Sequence, residues 1–251
     1  MNVGDAIAAC LWGLLSGGAL ILGAALGWFA DLGRREVAWI MAFGSGILIS
    51  AIAFDIMDDA FTTGGLVASA GGFLLGAVIF TIGSELLAHA GARDRMRSTR
   101  TSNGRDGRSA GAVTLGTIID GIPEAIVIGV SLIDGNGVAL AAVIAIFLSN
   151  IPEALSSSVG MKAAGRTPRY VFGLWAGITL ISGGFSLLGY LVVSQFAPEW
   201  VAFIQAIAGG ALIAMIADAM IPEAFAETHE LTGFIAALGF LGGFALSHGL
   251  G

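Results

Sequence analysis

The stretch IIDGIPEAIVIG, residues 118–129, sets two carboxylates and a proline inside sequence that is otherwise apolar and punctuated by glycine. Its core, IPEA at Ile122 to Ala125, recurs at Ile151 to Ala154 and again at Ile221 to Ala224. The surrounding chain of 251 residues is 56% hydrophobic and 12% charged, with a mean hydropathy of +0.90. A soluble domain of that length carries about twice as much charge, so the composition is that of an integral membrane protein. A hydrocarbon core about 30 Å thick needs roughly 20 apolar residues per helix, which allows about eight spans.

Apolar runs put spans at 6–29, 37–56, 65–89, 113–132, 138–161, 170–196, 200–221 and 231–248, with ends good to about 2–4 residues. All eleven lysines and arginines fall in three connections. Arg34 and Arg35 lie between spans 1 and 2, six arginines from Arg93 to Arg108 between spans 3 and 4, and Lys162, Arg166 and Arg169 between spans 5 and 6. These odd-numbered loops share one side, and the positive-inside bias makes that side cytoplasmic. The expected fold is therefore all-α and polytopic, a single transmembrane domain over 1–251 with eight transmembrane helices and both termini outside.

The first apolar run has no basic residue ahead of it and is longer than a signal-peptide core, so it reads as a retained span. Trp28, Trp39, Trp175 and Trp200 sit near predicted span ends, as an interfacial belt requires. The single cysteine, Cys10, excludes an intrachain disulfide and a thiolate metal cluster. The net charge of -7 is segregated along the chain and implies no nucleic-acid partner; membrane lipid is the expected surrounding. The segment 92–111, rich in Arg, Ser and Gly, reads as a mobile basic cytoplasmic loop. GxxxG pairs at Gly23/Gly27, Gly72/Gly76, Gly173/Gly177 and Gly239/Gly243 allow close helix approach, either inside the bundle or across a homodimer face.

The acids inside the spans carry the chemistry. Asp120 and Glu124 are one turn apart on span 4, and Pro123 frees the carbonyl of Ile119. On span 5, Ser149 and Asn150 precede Glu153 by four and three residues, and Pro152 frees the carbonyl of Leu148. Each acid costs about 2.5–3.5 kcal/mol at a helix centre, and no lysine or arginine lies in any span to neutralise it. Protons or a cation must do so. Carboxylate, amide, hydroxyl and carbonyl oxygens suit a hard or borderline divalent ion.

With the spans oriented, Asp55, Asp58 and Asp59 fall at the outer mouth as a candidate entrance. Toward the cytoplasm lie Asp218, Glu223, Glu227, His229 and Glu230 from span 7, and Glu85 and His89 from span 3. Glu223, Glu227, Glu85 and His89 form a candidate exit. His248, near the C-terminus, has no assigned role.

Eight spans, both termini outside, a basic loop between spans 3 and 4 and paired proline-glutamate motifs resemble the ZIP (Zrt/Irt-like protein) family of divalent metal transporters. The motifs are DGIPEA at 120–125, SNIPEA at 149–154 and, more weakly, MIPEA at 220–224. That resemblance implies a transport site between spans 4 and 5, with Glu124, Asn150 and Glu153 matching family ligands. Asp120 stands where the family has histidine, Gly121 where it often has asparagine, and Ser149 where it has histidine or glutamine. The resulting all-oxygen set favours manganese or iron(II) over zinc.

The expected function is a secondary transporter moving a divalent metal cation of the zinc, manganese or iron class toward the cytoplasm, in the plasma (inner) membrane of a prokaryote. The metal is substrate, with no prosthetic group expected. The alternative is a membrane metal sensor or assembly subunit that keeps the fold. No activated nucleophile accompanies the acids, so no enzyme is expected.

Overall fold

The computed structural model describes residues 2–30, 32–87, 89, 121–133 and 138–249. The expected mobile basic loop at 92–111 and Asp120 lie outside the described residues. Every regular element among the described residues is helical. The chain runs α1 (Val3–Phe29), α2 (Arg34–Ala51), α3 (Met57–Leu87), α4 (Gly121–Val130), α5 (Leu140–Ala163), α6 (Pro168–Val193), α7 (Pro198–Met215), α8 (Ile221–Thr228) and α9 (Thr232–Gly249). Wide π turns at Ile52–Ile56 and Ile216–Met220 join α2 to α3 and α7 to α8.

Five helical stretches are long and apolar enough to cross a membrane: Val3–Phe29, Arg34–Leu86, Leu140–Ala163, Pro168–Val193 and Pro198–Gly249. Large apolar side chains such as Val67, Leu66 and Leu180 project outward, at 88%, 68% and 68% exposure, a surface suited to lipid and not to water.

The 53-residue stretch Arg34–Leu86 would measure about 80 Å if straight. It is not straight, because Gly65 adopts φ +71°, ψ −179°, a conformation essentially reserved for glycine. Ile52, Ile56 and Met57 pack on Gly209 of α7, while Phe73 packs on its neighbour Gly210. Residues eight before and eight after Gly65 thus reach the same level of α7, and the chain reverses there. The second long stretch reverses at His229, the one non-glycine residue with positive φ (+44°) among those described. After it α9 runs beside α2, with Gly239 against Phe43 and Gly243 against Ile47 and Ser50.

Both long helices continue past the expected ends of the apolar runs at 56 and 221. Tertiary partners account for the extension. Ser247 Oγ donates to Asp55 Oδ2 at 2.8 Å, Gln205 Nε2 approaches Asp59, and Ser156 Oγ donates to Glu223. A carboxylate with a donor need not end a helix.

The helices sort into two groups. In one, α1 packs between α5 and α6: Gly23 and Gly27 abut the Ile151 and Leu155 carbonyls, and Gly13 and Gly17 abut Ser182 and Thr179. Helix α4 joins this group through Gly129 against Ser186. The other group comprises α2, α3, α7, α8 and α9, with Gly72 and Gly76 against the Phe203 and Ile207 carbonyls. Three of the four GxxxG pairs therefore serve packing within the chain, whereas Gly173 and Gly177 have open space where a Cβ would stand. The groups meet along α2 and α5, where Gly44 receives Pro152.

One expectation is overturned. Trp175 is not interfacial; it is fully buried, and its Nε1 donates to Ser158 Oγ at 2.9 Å. A satisfied indole N–H removes the reason for an aromatic ring to seek the headgroup layer. Trp39 and Trp200, at 41% and 59% exposure, keep the surface setting.

Candidate cation site

Pro152 lies inside α5 without ending it, so the helix holds a buried polar face through its middle. Ser149, Asn150 and Glu153 are 2%, 4% and 5% exposed. Ser149 Oγ donates to the Ile146 carbonyl at 2.9 Å, which uses its hydrogen and leaves oxygen lone pairs to offer. Asn150 Nδ2 donates across to the Ser16 carbonyl of α1 at 3.2 Å, so its amide oxygen is the atom that remains for a ligand. Both polar side chains thus present oxygen.

Glu124 on α4 is also 5% exposed. Ala139 N donates to Ser131 Oγ at 3.3 Å across the α4–α5 connection, and Val127 and Ile128 share a core cluster with Val143 and Ile146. Glu124 lies one turn beyond Val127 and Ile128; Ser149 and Asn150 lie one turn beyond Ile146. In an antiparallel pair with that register these positions would fall at one depth. Among the described residues no three His, Cys, Asp or Glu side chains converge to hold a metal ion.

Glu223, expected at an exit with Glu85 or His89, is 6% exposed and accepts a short hydrogen bond from Ser156, one turn beyond Glu153. It links α8 of one helix group to α5 of the other. Glu85 and His89 are exposed, with His89 Nδ1 2.8 Å from the Glu85 carbonyl of its own helix. Glu227 lies 4.0 Å from Arg34 of α2. Asp218, His229 and Glu230 are exposed. Ser182 and Ser186 of α6 donate to the Ile178 and Ala9 carbonyls.

The three acids expected at the entrance diverge. Asp55 faces Ser247 of α9, Asp59 faces Gln205 of α7, and Asp58 is exposed. His248 packs on Phe244 at 4.0 Å between ring centroids.

Sequence reasoning missed Ser156 and Gln205. The available signal was a weak internal similarity, IAFDIMDDAF at 52–61 against IADAMIPEAF at 216–225, which aligns Asp59 with Glu223. Both copies open with a π turn, a widening often found at functional positions. Each aligned acid meets a polar side chain on another helix.

Fold and site define an all-helical chain with membrane-spanning apolar helices and a buried, oxygen-rich polar layer. No family model matches the chain, and no curated protein matches it.

Proposed function

We propose that the protein is a secondary transporter carrying a divalent metal cation toward the cytoplasm, resembling the ZIP family in its motifs. The observation that carries this reading is the burial of Glu124 and Glu153 to 5% exposure in a chain whose lysines and arginines all lie between spans. Two carboxylates at that depth suit a divalent cation, and Ser149 and Asn150 oxygens would complete a hard-ligand set with Asp120.

The reversals at Gly65 and His229 support eight spans, because each divides a stretch too long for one crossing. Arg34, Arg35, Lys162, Arg166 and Arg169 gather at one end: Lys162 Nζ donates to the Trp28 carbonyl at 2.7 Å, and Phe29 stacks on Phe172. That end is cytoplasmic, and both termini are outside. The division into two helix groups meeting along α2 and α5 supports rocking of one against the other, with Ser156 and Glu223 bonded across the boundary on the cytoplasmic side.

The test is uptake of radioactive manganese, zinc or iron into vesicles holding the purified protein. Accumulation that vanishes in the Glu124→Gln/Glu153→Gln variant is expected. Uptake that survives that variant refutes the reading, and binding without uptake in the unaltered protein favours the sensor or assembly role.

A further inference from the structure

At the outer end, away from Glu124 and Glu153, the bundle carries an open pocket of about 60 Å³, with Asp59 and Thr63 on its exposed side. One water needs only about 10–15 Å³ by that measure, so an ion with part of its hydration shell fits. Asp59 and Thr63 from α3, Ser131 just beyond α4 and Gln205 from α7 supply its polar lining, and Val130 and Val201 its apolar wall.

Gln205 is 7% exposed. Its Nε2 stands 3.5 Å from Asp59 Oδ2, beyond the usual 2.7–3.2 Å of such a bond, and its Oε1 accepts no hydrogen bond among the described residues. At an open pocket that oxygen can take its partner from water or from an ion held there. Ser131 Oγ donates to the Ile128 carbonyl at 2.9 Å and accepts from Ala139 N at 3.3 Å, so it has one oxygen lone pair left to offer.

We infer that Asp59, Gln205, Ser131 and Thr63 form a separate outer binding site for a partly hydrated, hard divalent cation. Turning the Gln205 amide brings Oε1 to the ion and gives up only the 3.5 Å contact. One carboxylate, one amide oxygen and two hydroxyls make a weak, oxygen-only site, suited to capture and release. The inference rests on the proposed function only for calling this the first station on an inward path.

The test uses terbium(III), a hard, oxygen-seeking probe excited through tryptophan, on the full chain in detergent carrying Glu124→Gln/Glu153→Gln. Trp200 precedes Gln205 by five residues on α7, about 7.5 Å of helix rise. Saturable emission displaced by manganese(II) is expected, weakened at least about tenfold by Asp59→Asn. Gln205→Glu should tighten binding severalfold, a gain that misfolding cannot produce. Emission lost in the Glu124→Gln/Glu153→Gln background, or unchanged within about twofold by both further substitutions, overturns the site. Absent uptake with intact terbium binding overturns the transport reading and leaves this site standing.

Discussion

Asn150 gives its amide hydrogen to Ser16 and keeps its oxygen, while Ser149 gives its hydroxyl hydrogen to its own helix. If the proposed cation binds there, these bonds would orient its ligands in advance, the usual task of outer contacts around a metal. Ligation needs ionised carboxylates and metal binding releases protons, so uptake should fall as external pH is lowered. Measuring initial uptake rates in pH-clamped vesicles checks this. Ser156→Ala removes one hydrogen-bond donor to buried Glu223. It should destabilise the protein by about 1–3 kcal/mol, seen as a lower unfolding temperature in detergent. Glu124, Glu153 and Asn150 were legible in the sequence because acids and amides between apolar residues stand out. Ser156 was not: it is one of three consecutive serines, and only the approach of α8 selects it.

Helix α3 depends on a single backbone conformation. At Gly65 an L side chain meets φ +71°, so Gly65→Ala should cost about 1–3 kcal/mol although a Cβ there touches nothing within 4 Å. Gly173→Ala, with the same open space but helical backbone, should change stability by less than about 0.5 kcal/mol. Thermal unfolding of the two variants side by side separates strain from packing. The reversal itself was legible, since an apolar run restarting at Gly65 is too long to be one span with its predecessor. The π turns were not, because widening a helix by one residue leaves hydrophobic periodicity nearly unchanged over so short a segment.

The described residues form two helix groups, with Ser156 of one bonded to Glu223 of the other. The orientation of the chain can be tested by labelling. In a Cys10→Ala background, Thr63→Cys should react with a membrane-impermeant maleimide on intact cells, whereas Lys162→Cys should react only after permeabilisation. The reverse pattern inverts the proposed topology and the direction of transport with it. Arg34 and Glu227, at 64% and 24% exposure and 4.0 Å apart, should contribute under about 1 kcal/mol; Arg34→Ala is expected to leave the unfolding temperature nearly unchanged.

Composition, hydrophobic run length and the confinement of basic residues to three connections determined a helical membrane chain with acids inside it, because the cost of moving charge into hydrocarbon is local and additive along the sequence. Which acid meets which partner was decided only by tertiary structure. Asp55 turned to Ser247, Asp59 to Gln205 and Glu223 to Ser156 across separations of 192, 146 and 67 residues. Hydrogen bonding is short-ranged in space and indifferent to distance along the chain, so the packing of α2, α5, α7 and α9 had to bring these pairs together.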